Sequence, residues 1–485
     1  MFQLSDLQLP LTPKQYINGQ WCDATNGKTW KVINPATEKT IVEVPFGNGK
    51  DGAAAIAAAT AAFRSWSATN PYERAVILKK ASALMHERLS EYAKVTVLES
   101  GKPLTEAVGE WRVAANFFEW YAEEGKRNYG SVIPANRNNK RMSVLHQPMG
   151  VIGAITAWNF PAYNPARCWS AALGAGCTVV AKVSEYTPLT GILLAQCLHD
   201  AGLPPGVLNV VNGEPASIGE EMLNNPAVRK ISFTGSTRVG KILMDGASKN
   251  IKRLALELGG NAPVIIFPDV DVKKVAEESV VAKLRNAGQV CIAPQRYIVH
   301  ESIVKEFTER AAAKMQQIKI GHGLESTTDM GPMINAAQRD NLEKLVQASQ
   351  AAGANVIVGG QRGKNEGYFY QPTLVRPTDA NNPVFQQEIF GPVMPVLSFG
   401  KEEEAIQLAN ATQYGLASYL WTNDLKTSIR VSEQIEFGMV GINEWYPQAF
   451  EAPFGGWKQS GLGYECGQDG LEEYQEKKLI SIGGL

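Results

Sequence analysis

GVIGAITAWNFPAYNPARCWSAALGAGCTVVAKV, residues 150–183, decides the fold. The apolar run GVIGAITAWN reads as a strand, PARCWSAALGAG as a helix and CTVVAKV as a second strand. That strand–helix–strand unit predicts parallel pairing, because two parallel neighbours need a crossover between them. The pattern continues with a helix in TPLTGILLAQCLHDAG, a strand in VLNVVNG and another in KISFTGS. A second series starts after residue 257, with a strand in APVIIF, a helix over 269–284, a strand in RYIVH, and helices over 302–317 and 335–352. The class is therefore α/β.

Upstream, residues 14–46 alternate apolar and polar around Gly and Asn turns, which predicts short antiparallel strands. DGAAAIAAATAAFRSW (51–66) is Ala-rich behind an Asp and predicts a helix, and helical spacing recurs over 71–96 and 103–125. Gly, Pro and Asn punctuate 126–147, the pattern of a projecting hairpin, and the strand ending EYQEKKLISIGGL is its candidate partner.

The chain has 485 residues, too many for one core, so two or more subdomains are expected. A formal net charge of −1 gives no electrostatic reason to bind nucleic acid or anionic lipid. There is no 18-residue apolar run and no secretory signal pattern, so no membrane partner is expected. The six cysteines form no CxxC pair and no His stands at zinc-ligand spacing beside them; no metal site and a reducing, cytoplasmic setting are expected.

Chemistry concentrates at strand ends. In FTGSTRVGK (233–241), Gly235 and Gly240 flank a loop whose amides and Ser236 hydroxyl either meet a phosphate or simply cap a helix. Lys182 and Glu185 follow a strand, where ligands bind in open α/β sheets; a carboxylate there suits ribose hydroxyls and repels a 2′-phosphate, which favours NAD over NADP. Asn159 ends the run TAWN, Glu257 precedes Gly259 and Gly260, which let a ligand approach the backbone, and Cys291 has small neighbours in NAGQVC on an expected helix N-terminal turn. Singly, these are as well explained as a turn residue, a cap and a buried thiol. Together with the loop they compose a nucleophile, an oxyanion donor and a base.

AWNFP, KVSEYTP, FTGST, LELGG, NAGQVC, EIFGPV and PFGGWKQSG occur in the order in which the NAD(P)-dependent aldehyde dehydrogenase superfamily carries such motifs, and the whole chain resembles it. The resemblance implies that Cys291 forms a thiohemiacetal and then a thioester, that Asn159 and the Cys291 amide hold the oxyanion, and that Glu257 activates the hydrolytic water. It implies cofactor contacts from Trp158, Lys182, Glu185, Gly213, Phe233, Gly235, Ser236, Leu258, Glu388 and Phe390. It also implies an aldehyde dehydrogenase-like fold: a Rossmann-type dinucleotide-binding domain (1–125 and 148–256), an α/β catalytic domain (257–469) and a small β oligomerisation element (126–147 and 470–485) serving a homodimer or homotetramer.

Arg167 and Arg285 resemble positions at which succinate-semialdehyde and 2-oxoglutarate-semialdehyde dehydrogenases hold a distal carboxylate, the alternative being structural ion pairs. With Phe160 and Phe454 they complete a substrate site for a small polar aldehyde. Trp445 and Tyr446, bulky for a short linear chain, leave a sugar-derived aldehyde such as an anhydrohexose as a second reading. Glu257 argues against a CoA-acylating relative. The five histidines, His86, His146, His199, His300 and His322, lie in no motif of a cysteine hydrolase. The intact Cys291, Glu257 and Asn159 argue against a non-catalytic relative.

Overall fold

The computed structural model describes residues 3–9, 11–364 and 366–485. Two doubly wound sheets organise it. In the first, the strands Leu208–Val211, Thr178–Lys182, Val151–Ile155, Val228–Thr234 and Arg253–Glu257 lie side by side in that order and run parallel. Gln15–Ile17 and Gln20–Cys22 extend one edge antiparallel, and Gly461–Leu462 extends the other. The central strands are almost wholly buried, which is why VIGAI and the VVA of TVVAK read as apolar runs and not as alternations. Each large aliphatic side chain buried there contributes about 1.5–3 kcal/mol.

The second sheet orders Asn355–Val358, Thr373–Arg376, Val393–Phe399, Pro294–His300, Ala262–Ile266, Ala417–Trp421 and Met439–Ile442, parallel except at the first pair. Gln475–Gly483 pairs along its length with Lys140–Pro148, which also pairs with Ser131–Ile133 in a separate three-stranded sheet. The helices start and stop on ordinary signals. Asn70 caps Pro71–Ser100, and Gly101 ends it in the left-handed region with φ 79°. No helix among the described residues is long and apolar enough to cross a membrane.

In the first sheet, chain order reverses between Val151–Ile155 and Val228–Thr234. Such a switch point opens a crevice beyond the carboxyl ends of the strands. Asn159 follows one of these strands and Gly235 the other.

Candidate active site

Two cavities meet at Cys291. The first, about 330 Å³, lies at the switch point and is lined by Trp158, Asn159, Gly235, Ser236, Glu257, Leu258, Glu388 and Phe390. The second, about 470 Å³, is lined by Phe160, Tyr163, Arg167, Arg285, Phe450 and Phe454, among others. The thiol is the one proposed catalytic group that borders both.

Cys291 does not sit on a helix N-terminal turn. The helix Val272–Leu284 ends first, and Asn286, Ala287 and Gly288 follow with φ 49°, 53° and 74°. Three consecutive left-handed residues are strained for the two that are not glycine, so the surroundings must hold them. The Asn286 N–H donates to Glu106 (2.8 Å), and the Asn286 amide donates to the Asn159 carbonyl (2.9 Å). The Gln289 amide donates to the Asn286 carbonyl (3.0 Å), while its Oε1 accepts from Ile334 N–H (2.9 Å). Cys291 then lies in a turn closed by Ala293 N–H to the Val290 carbonyl (3.0 Å), before the strand Pro294–His300. Burial and the neighbouring Glu257 push the thiol well above its usual range, partly opposed by Arg167.

Glu257 ends its strand facing the thiol, and burial raises its carboxyl to about 7. The pair therefore rests as a thiol beside a carboxyl that ionises near neutral pH. Gly259 and Gly260 do permit close approach, of the protein itself. A Cβ on Gly259 would stand 2.6 Å from Glu388 Oε2, and one on Gly260 would stand 2.3 Å from the Cys291 carbonyl oxygen. Glu388 accepts from Gly260 N–H (2.9 Å), and burial lifts it too to about 7.

The Asn159 carboxamide is fixed in orientation. Its Oδ1 accepts from the Asn164 amide (3.1 Å), and its Nδ2 donates one hydrogen to the Gln289 carbonyl (3.1 Å). The second amide hydrogen remains for the cavity. Among the described residues, the Cys291 N–H donates to no protein acceptor.

Trp158 meets Phe390 edge to face at 5.5 Å. Ser236 caps the helix Thr237–Ser248, accepting from Val239 N–H (3.4 Å). Lys182 and Glu185 form an ion pair (2.6 Å) at the adjacent strand end, outside the lining of the first cavity. Gly213 bridges to Gly47, and Phe233 is packed beneath Gly235; neither borders the cavity.

The family model described as "Aldehyde dehydrogenase family" matches residues 21–480. The chain belongs to the aldehyde dehydrogenase family. Among curated members it is 45% identical over 469 residues to the mitochondrial succinate-semialdehyde dehydrogenase of Oryza sativa, covering 97% of this chain and 89% of that protein. It is 43% identical over 480 residues to the glutarate-semialdehyde dehydrogenase of Pseudomonas putida, covering 99% of each. A crystal structure of an NADP-dependent enzyme from Escherichia coli superposes with TM-score 0.96 at 43% identity, covering 98% of each chain. The superfamily and the α/β fold read from the motifs are thus borne out.

Two expected substrate residues of this aldehyde dehydrogenase lie elsewhere. Trp445 is buried against Trp421 (4.8 Å) and Tyr419 (5.6 Å), and its indole N–H donates to Glu278 (3.3 Å). Tyr446 is half-exposed, with the Arg285 guanidinium 5.3 Å from its ring, and with Trp445 it lies behind Val290 and Ile292, which line the second cavity. Neither borders the cavity that opens on the thiol, so their bulk carries no argument for a sugar ring. The named relatives act on semialdehydes, which does not favour the sugar reading either.

Arg167 does border the cavity, but it pairs with Glu465 (2.6 Å), stands 3.9 Å from Glu257 and lies under Phe454 (4.5 Å). The competing expectation, a structural ion pair, describes its resting state. Reading the sequence also missed Lys102, Glu106, Glu110, Asn164, Asn286, Gln289 and Glu465, the polar residues that hold the motif residues in place. Asn286 and Gln289 stand inside the motif NAGQVC, and Lys102 and Glu465 each stand in a short glycine-bearing break, SGKP and GYECG.

Proposed function

We propose that this aldehyde dehydrogenase oxidises a semialdehyde bearing a distal acidic group, such as succinate or glutarate semialdehyde, to the carboxylate. Arg285 carries the reading. Its guanidinium lines the second cavity between the rings of Phe160 and Tyr446, each 5.3 Å away, and no carboxylate lies within 4.0 Å of it among the described residues. A clamped arginine without an ion-pair partner suits a carboxylate that arrives with the substrate. Arg167, already paired, steadies Glu257.

The chemistry follows from the three central groups. The Cys291 thiol loses its proton to solvent, and its sulfur attacks the aldehyde carbon. The oxygen becomes anionic and is held by the Asn159 amide and the Cys291 N–H. A nicotinamide cofactor held by the residues of the first cavity would supply the acceptor for the hydride that leaves the former aldehyde carbon, and a thioester would remain on Cys291. Glu257 then takes a proton from water, whose oxygen attacks the thioester, and returns it to the departing sulfur, releasing the acid and the thiol.

The first cavity fits a nicotinamide cofactor through Trp158, Gly235, Ser236, Leu258, Glu388 and Phe390. Glu185 at the adjoining strand end favours NAD over NADP, since a 2′-phosphate there meets a carboxylate. Arg285→Met is expected to lower kcat/KM for succinate semialdehyde about 100-fold, the loss of one charge-assisted pair of about 3 kcal/mol, and to leave neutral aldehydes nearly unchanged. A steady-state panel run with NAD and NADP reads both points. Equal losses for acidic and neutral aldehydes would remove the carboxylate reading, and faster turnover with NADP would remove the preference for NAD.

Homo-oligomerisation belongs to the same proposal. The three-stranded sheet leaves Val132 84%, Ile482 51% and Ile480 37% exposed on one face, an apolar face that a second subunit would cover. Light scattering should give the mass of a dimer or tetramer; a monomer at micromolar concentration contradicts this part.

A further inference from the structure

We propose that Lys102, through its buried ion pair with Glu110, is a positioning residue that sets the place of the Asn159 amide relative to the Cys291 thiol. The inference rests on the roles given above to Asn159 and Cys291. Both side chains of the pair are out of solvent, 0% and 1% exposed, with Lys102 Nζ 2.5 Å from Glu110 Oε2. A buried ion pair is a weak source of stability, because desolvation offsets the attraction. Its other contacts indicate what it does.

Lys102 Nζ also donates to the Asn159 carbonyl (2.8 Å) and lies 4.3 Å from the centre of the Phe160 ring. The second oxygen of Glu110 accepts from Ala162 N–H (2.7 Å) and Tyr163 N–H (3.2 Å). The pair thus grips both ends of the turn 159–163, which carries the oxyanion donor. The Asn159 carbonyl has a second donor, the Asn286 amide, from the strained turn that leads to Cys291. The backbone of Asn286 is in turn held by Glu106.

Glu106 and Glu110 are four residues apart in the helix Leu104–Glu124, hence on one face, and Lys102 stands four residues before Glu106. One short segment therefore holds a turn of the first sheet and a turn leading into the second. That segment is itself anchored: Leu104 N–H donates to the Gly323 carbonyl (2.9 Å). The oxyanion donor and the nucleophile come from different sheets, and this segment fixes the distance between them.

The test is the rate of the first turnover, read as the pre-steady-state burst of NADH. Lys102→Met should slow the burst about 100-fold, the effect of a misplaced reacting geometry, with KM for the aldehyde near the wild-type value. Alkylation of Cys291 by iodoacetamide needs no oxyanion donor and should stay near the wild-type rate. Lys102→Met/Glu110→Gln leaves no orphan charge and should regain thermal stability without regaining the burst. Lys102→Arg keeps the pair but moves the donors, and should fold with a slowed burst. A wild-type burst in any folded variant of the three, or joint recovery of stability and burst in the double variant, would make the pair merely structural and overturn the assignment. If the wild type forms no NADH with any aldehyde, the proposed reaction fails instead.

Discussion

Cys291→Ala abolishes aldehyde-dependent NADH formation, a loss on the order of 10⁶-fold, the scale for removing a covalent nucleophile. The size follows from the geometry. Cys291 borders both cavities, so the chemistry that joins them passes through its sulfur. The other cysteines do not substitute. Cys168 and Cys177 are buried in the core and hydrogen-bonded to Tyr474, and Cys197 and Cys466 are also buried. Cys22 is on an edge strand of the first sheet, and it lines neither cavity. The alanine variant should keep its fold, since it replaces a partly exposed thiol by a smaller apolar group. Circular dichroism and a stopped assay separate loss of chemistry from loss of structure.

Glu257→Gln should lower steady-state turnover by about 10²–10⁴-fold, the usual contribution of a general base. A glutamine cannot take a proton from water, so the thioester waits and one equivalent of NADH forms without a second. Thiol reactivity should move the other way. Glu257 raises the thiol, so the variant holds more thiolate at neutral pH and alkylates faster than wild type. Turnover by the wild type should rise with pH through about 7, where Glu257 loses its proton, and this limb should vanish in Glu257→Gln. For stability the sign is opposite to that of an ordinary paired carboxylate. The folded state favours the neutral carboxyl, so this group's contribution is present at acid pH and is lost as pH rises through about 7. A flat pH profile in the wild type would count against Glu257 as the base.

The first sheet was legible because its strands are buried on both faces and separated by helices with clear caps. The second was only partly legible. Val393–Phe399 is an inner strand that carries Pro395 opposite Val375, and proline in a run argues against a central strand. Asn159 and Glu257 were legible because each ends an apolar run in a polar side chain, and Cys291 because it stands among small residues in NAGQVC. The place of Cys291 on its turn was not, since the left-handed Asn286 and Ala287 depend on Glu106 and Asn159, 180 and 127 residues away in the chain. Trp445 misled for a related reason: a large aromatic beside a site motif reads as a wall of that site, yet the stacking with Trp421 and Tyr419 draws it into the core.

The central claim is that an aldehyde becomes an acyl group on one sulfur. Glu257→Gln incubated with NAD and succinate semialdehyde, quenched in acid and mapped by peptide mass spectrometry, tests it directly. The account predicts the added mass of the acyl group on the peptide holding Cys291 and on no other. Acyl label on a different residue, or NADH formed with every cysteine unmodified, would contradict it.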